Sequence, residues 1–215
     1  MFDGRSAALA ALVIAAAAAP ARAQVDRPIP PAVLDVRLVF AGLGEDQVTA
    51  TALAVAPDAL PSRGLGLIAG VHVYPIRRAR FALGIGGELL RVRGSAVPSA
   101  DQPPTAPLAP ELHRRLEGLA GQLSINFGHR DGWSYLTAGM GPLTFQTYAG
   151  QIAPDDPPRK STINLGGGAR WFLNRHVALN LDARFYLTRP EDPSGATPGR
   201  ERRRLMLLSV GLSFK

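Results

Sequence analysis

Residues 176–188 read HVALNLDARFYLT. On an extended chain Val177, Leu179, Leu181, Ala183, Phe185 and Leu187 share one face, and His176, Ala178, Asn180, Asp182, Arg184 and Tyr186 share the other. Successive side chains of a strand point to opposite sides, so this stretch reads as a strand with one apolar and one polar face.

The same period recurs on both sides of it. In the last segment Met206, Leu208, Val210, Leu212 and Phe214 oppose Leu205, Leu207, Ser209, Gly211 and Ser213. In 161–173 Ile163, Leu165, Ala169 and Trp171 oppose Thr162, Asn164, Gly166, Gly168 and Arg170. In 64–74 Leu65, Leu67, Ala69, Val71 and Val73 oppose Gly64, Gly66, Gly70, His72 and Tyr74, with Ile68 a misfit. In 33–41 Leu34, Val36, Leu38 and Phe40 oppose Asp35 and Arg37. Three segments are less regular. In 80–93 the phase slips before Arg91 and Arg93, which predicts a bulge near Gly86-Gly87. In 114–127 Leu119, Leu123, Ile125 and Phe127 oppose Gln122, Ser124 and Asn126. In 133–148 the facing is ambiguous, and Pro142 predicts a local break.

The pattern predicts about eight strands, most as long as the roughly 9–11 residues a tilted membrane strand needs. Short turns at 75–80, 128–132 and 174–175 alternate with longer loops at 43–63, 94–113, 149–160 and 189–202. An even strand number with short turns on one side and long loops on the other predicts a closed antiparallel up-and-down transmembrane β-barrel. Residues 46–56 read either as an extra strand or as a short helix in the first long loop. Their Ala-rich composition and Pro57 favour the helix.

A soluble barrel or sandwich also alternates, with its apolar face inward. Two features point to the inverted arrangement. Gly64, Gly66, Gly70, Gly84, Gly86, Gly118, Gly166, Gly168 and Gly211 crowd the polar face, where a narrow interior needs room for Arg, Tyr and His. The aromatics gather near strand ends, as expected of two interfacial girdles. Tyr74, Phe81, Phe127, Trp133, Tyr135, Trp171, Phe172 and Phe214 fall toward the short turns, and Phe40, Phe145, Tyr148, Phe185 and Tyr186 toward the long loops.

Ala7 to Ala19 is an apolar run of 13 residues that follows Arg5 and leads to Ala21-Arg22-Ala23. That is the form of a signal peptide, residues 1–23, with the barrel domain at 24–215; the alternative is an ordinary buried N-terminal helix. The chain has no cysteine, which rules out disulfides and thiolate metal sites. Removing Arg5, Arg22 and Asp3 takes Lys+Arg from 24 to 22 and Asp+Glu from 17 to 16, a net charge of +6. A basic exported protein can meet lipid phosphates or other anions. No nucleic-acid motif accompanies the charge.

Asp35, Arg37, Glu88, Arg170, Asp182 and Arg184 all take the inward face of this scheme. Two readings stand: a paired network that fills the barrel, favoured because unpaired interior charges are costly, and a gate or ion path. Arg200, Arg202, Arg203 and Arg204 gather on the long-loop side, with Arg114 and Arg115 at the same level. They suit lipopolysaccharide phosphates, or they form a solvated loop with Glu191, Asp192 and Glu201. His176 and Ser213 lie at matching strand ends, but Asp182 is about 20 Å from His176 along the strand, too far to orient it. No nucleophile–base–orienter set can be assembled, so no catalytic residue, metal ligand or cofactor site is assigned. Gly166-Gly167-Gly168 lacks the Lys-Ser/Thr of a phosphate loop.

The chain resembles the small outer-membrane protein β-barrel domain family, the group of OmpA- and OmpX-like barrels. The resemblance covers roughly 31–215. It rests on Tyr135-Leu136-Thr137-Ala138-Gly139-Met140-Gly141, on the Gly166-to-Arg184 hairpin with Trp171-Phe172 and Asp182-Ala183-Arg184, and on Ser209-Val210-Gly211-Leu212-Ser213-Phe214. It implies that Gly211, Leu212 and Phe214 carry the signal read by the barrel-assembly machinery; here Phe214 is penultimate, a departure from the family pattern. It implies an outer-membrane location and contact with outer-membrane lipid and lipopolysaccharide. The expectation is a monomeric, non-enzymatic protein with a structural or surface-interaction role. The alternatives are a narrow channel for small or apolar solutes and a lipid-modifying barrel enzyme.

Overall fold

The computed structural model describes residues 29–44, 46–78, 80–97, 110–129, 132–150, 152–153, 159–190 and 203–215. The signal-peptide reading of 1–23 lies outside them. Eight antiparallel strands follow in chain order: β1 Ala32–Gly42, β2 Arg63–Arg78, β3 Phe81–Ala96, β4 Leu112–His129, β5 Gly132–Ala149, β6 Arg159–Phe172, β7 Val177–Thr188 and β8 Arg204–Phe214. Each pairs with its sequence neighbours, and β1 pairs with β8, so the sheet closes into an up-and-down barrel with no free edge. Gly128, at the end of β4, has φ +135° and lies against the Trp133 backbone, a place no L side chain fits.

The apolar face points outward. Leu34, Leu67, Leu89, Leu123, Leu136, Leu165 and Phe185 are all exposed, with Leu136 at 62 %. Arg37 and Asp35, between such residues on β1, are at 0 %. This inverts the ordinary rule that large apolar side chains lie inside and charges outside.

The interior is layered. Toward the short turns Ile29, Val33, Tyr74, Ala82, Trp133 and Tyr135 pack together with Phe172. A layer of charged and polar side chains sits above them. Next comes an apolar layer of Val39, Ala41, Leu43, Ile68, Leu90, Val92, Leu116, Leu143, Tyr186, Leu205 and Leu207. Over the long-loop mouth lies the first long loop with α1, Gln47–Ala52. The stretch around residues 46–56 is therefore helical, not a ninth strand. Its Ala50, Leu53 and Val55 pack with Leu60 and Leu112.

Two sequence expectations need correction. β3 pairs with β2 in unbroken register through Gly86 and Gly87; the irregularity lies on β2, between Val73 and Ile76. The phase of β3 does not slip, because Leu90 and Val92 remain inward and Arg91 and Arg93 outward. What changes is the environment. β4 and β5 have 18 residues each, far more than the roughly 9–11 that cross a bilayer. Beyond the apolar belt their outer face can be polar and their inner face apolar. The aromatic girdles are also thinner than expected: Tyr74, Trp133, Tyr135 and Tyr186 are buried inside the barrel. The local break expected at Pro142 falls on one side of β5 only, and the strand itself runs on. Pro142 pairs with Ser161 on β6, while the ladder to β4 is interrupted between Gly118–Leu143 and Gly121–Met140.

Candidate functional site: the charged layer and the closed mouth

Two clusters centred on carboxylates make up the charged layer. Arg170, on β6, donates from Nη2 to Asp35 Oδ2 at 2.6 Å and from Nε to Oδ1 at 3.3 Å. Its Nε also reaches Ser213 Oγ at 3.0 Å. Ser213 in turn donates to Asp35. Asn180 Nδ2 donates to Asp35 Oδ1 at 3.2 Å, and His72 Nδ1 lies 3.4 Å from Oδ2. In the second cluster Glu88 accepts from both Arg37 and Arg184. Asp182 joins them: Arg37 Nη1 lies 3.1 Å from its Oδ1 and Arg184 Nε 2.9 Å. The Tyr135 hydroxyl stands 2.8 Å from Asp182 Oδ2 and 2.9 Å from Asn180 Oδ1 and so ties the clusters together. Arg170 also lies over the Tyr135 ring, 4.3 Å from its centroid.

The structure thus brings Asp35, Arg37, Glu88, Arg170, Asp182 and Arg184 into one buried set. Three guanidiniums face three carboxylates, a balance that a low-dielectric interior requires. Glycines leave the room. A Cβ on Gly166 would meet the Arg184 side chain, and one on Gly168 would lie 2.6 Å from the Tyr135 hydroxyl oxygen. His72, Asn180, Ser213 and Tyr135 belong to the set as well. The inward phase of 64–74, 176–188 and 205–214 already marked the first three. Tyr135 was hidden by the mixed character of β5, where Trp133 and Tyr135 face inward and Ser134 outward.

Asp35, His72 and Glu88 bring three potential ligand atoms within 4.8 Å of one another. Both carboxylates are already held by arginines, so a cation there would meet three fixed guanidiniums. That donor set suits an ion-pair lattice better than a metal. Ser213 is buried on the inner face and bonded to Asp35, whereas His176 is exposed outside the strands. The structure does not bring the two together.

The mouth is held by a second polar assembly. Asp46 caps α1 by accepting from the Thr49 N–H at 3.1 Å and from its hydroxyl. It also accepts from Arg203, whose guanidinium lies over the Phe145 ring at 4.1 Å. Burial by itself raises the Asp46 carboxyl; the Thr49 hydrogen bonds and the Arg203 charge outweigh it and hold the group below the ordinary aspartate value. Arg114 points inward and donates to the carbonyls of Pro61, at 2.9 Å, and Gly44. Of the four arginines gathered near the last strand, Arg200 and Arg202 lie outside the described residues. Arg203 is taken up by Asp46, and Arg204 faces outward. At the end of β8 Gly211 is packed against the backbone of Val36 and Arg37, while Leu212 and Phe214 stand exposed on the outer face.

Neither a family model nor a curated protein matches the sequence. Solved structures match its fold. Neisserial surface protein A superposes with a TM-score of 0.52 at 11 % identity, over 86 % of this chain and 97 % of that one. The chain shares the fold of small outer-membrane barrels. Further similar barrels are the attachment invasion locus protein of Yersinia pestis, in complex with a heparin analogue (TM-score 0.42, 12 % identity, 86 % and 99 % coverage), and the outer membrane protease OmpT of Escherichia coli (0.44, 8 %, 87 % and 98 %).

Proposed function

We propose that this barrel is an integral outer-membrane protein with a structural or surface-interaction role, not a channel or an enzyme. The observation that carries the reading is the filled interior. A solute entering from the long-loop side meets α1 and its Asp46–Arg203 clamp, then the apolar layer around Leu90, Leu116 and Leu205, then the paired charges. Eight strands enclose a space that side chains fill. The long loops are what such a barrel offers to partners, and a rigid scaffold is what positions them.

Liposome swelling tests this. Vesicles with the refolded protein should admit small sugars and amino acids no faster than vesicles without it. Swelling that rises with protein content would favour the narrow-passage reading. Mass spectrometry of membrane lipids with and without the protein should show no new lipid species; a protein-dependent product would reveal an enzyme.

A further inference from the structure

We infer that the outer face of β2–β6 carries a binding site for one lipopolysaccharide molecule, with an acyl chain in a groove and a phosphate on arginines above it. This rests on the outer-membrane reading above and assigns it a lipid partner.

The strand registers set out the site row by row. Ala69, Leu89 and Leu119 form an apolar row on the outer face, continued on β5 by Pro142. The next row toward the long loops is Leu67, Arg91, Glu117, Thr144 and Arg159, and the one beyond it is Leu65, Arg93, Arg115 and Gln146. The change from apolar to cationic therefore falls between consecutive outward residues of the same strands. That is the level at which an amphiphile in the leaflet changes from chain to headgroup.

A groove of about 540 Å³ runs along this boundary, lined among others by Leu67, Leu89, Leu119, Pro142, Arg91 and Arg159. It lies where the β4–β5 ladder is interrupted at Pro142. The groove opens on the apolar belt, so in a bilayer its natural occupant is a lipid chain.

Among the described residues the charges above it are unbalanced. Glu117 forms ion pairs with both neighbours, its carboxylate lying 2.8 Å from Arg91 Nε and 2.7 Å from Arg115 Nη2. Arg93 sits directly across the ladder from Arg115, a like-charge pairing that costs stability unless an anion lies between them. Arg115 Nε has no hydrogen-bond partner among the described residues, and the Arg91 side chain is 56 % exposed. Among the described residues four guanidiniums, those of Arg91, Arg93, Arg115 and Arg159, thus stand against one carboxylate. A phosphate takes such forked donors in pairs. On the long-loop, outward leaflet of an outer membrane, the phosphorylated lipid is lipopolysaccharide.

The test uses the full barrel refolded in micelles, titrated with purified lipopolysaccharide, with its dephosphorylated form and with phosphatidylglycerol, followed by native mass spectrometry and calorimetry. One saturable lipopolysaccharide should bind; removing its phosphates or making Arg91→Gln/Arg93→Gln/Arg159→Gln should weaken it about tenfold or more, the scale of lost charge-assisted hydrogen bonds. Leu119→Trp, which fills the groove and keeps every charge, should also weaken it, and it decides the matter if the triple variant does not refold. Unchanged affinity in either variant, equal competition by phosphatidylglycerol, or a second copy of the chain seated on this face and excluding the lipid would overturn the site. Any of these could occur with liposome swelling still absent, so the failure of this site and the failure of the non-channel reading are separable.

Discussion

Glu88 shows what a single side chain does in this interior. It is almost fully buried and holds two guanidiniums. Glu88→Gln removes the charge and leaves Arg37 and Arg184 with too few partners. Breaking a buried pair in this way costs about 3–5 kcal/mol. Glu117→Gln, on the exposed outer face, should cost less than about 1 kcal/mol. Urea unfolding of the refolded barrels measures both, and equal midpoints for the two variants would mean that the interior pairs do not stabilise the fold. Asp182→Ala should behave like Glu88→Gln, since it strips both Arg37 and Arg184 of a partner. Gly168 makes the complementary point by its absence of a side chain. Gly168→Ala puts a methyl against Tyr135 and the Leu181 carbonyl, and overpacking of that kind costs about 1–3 kcal/mol.

At the scale of elements, the first long loop is a lid in which the Asp46 carboxylate joins α1 to Arg203, beside the Arg114 bonds to Gly44 and Pro61. The folded Asp46 lies below the ordinary aspartate value. Its stabilising contribution is therefore fully present above that value and is lost as the pH falls through the lower, folded one. Hydrogen exchange of the α1 amides should stay slow from about pH 7 to about pH 5 and speed up, relative to intrinsic rates, only in more acid buffer below about pH 4. Asp46→Asn should expose the loop at every pH. Protection that ignores both pH and the substitution would sink the clamp.

The strands themselves differ in how legible they were. β1, β6, β7 and β8 could be read directly, because each keeps an apolar outer face along most of its length and puts a polar member of the charged layer, Asp35 and Arg37, Arg170, Asp182 and Arg184, or Ser213, on the inner one. β3 was misread for a physical reason. Leu90 and Val92 follow Glu88 on the same inward face, but they lie in the apolar layer beyond it. Arg91 and Arg93 likewise follow Leu89 on the outer face after the strand has left the apolar belt. One unbroken phase therefore carries two opposite chemistries, and sequence alone takes that for a slip. β5 was ambiguous because its inner face has Trp133, Tyr135 and Phe145 while its outer face has Ser134 and Gln146. The charged layer was legible because a polar residue in the right phase of a clean strand has one place to go. The Asp46–Arg203 clamp joins residues 157 positions apart and leaves no periodic trace.

For the whole molecule, the account predicts a closed cylinder that is stable only when its belt is covered by lipid or detergent. Refolded protein should migrate faster on gels before heating than after, since a closed sheet unfolds as a unit; a single heat-independent band would argue against closure. The belt, the interior lattice and the lid are parts of one arrangement, because each depends on which face of the strands is turned outward. The sequence contains no cysteine, so single cysteines can report that facing one position at a time. Spin labels placed in turn from 177 to 188 on β7, in bilayers, should show a period of two. Labels at Leu179, Leu181, Ala183 and Phe185 should be relaxed by lipid-phase oxygen, and labels at Asn180, Asp182 and Arg184 should not. Oxygen accessibility with the opposite phase, or with no alternation at all, would contradict the account.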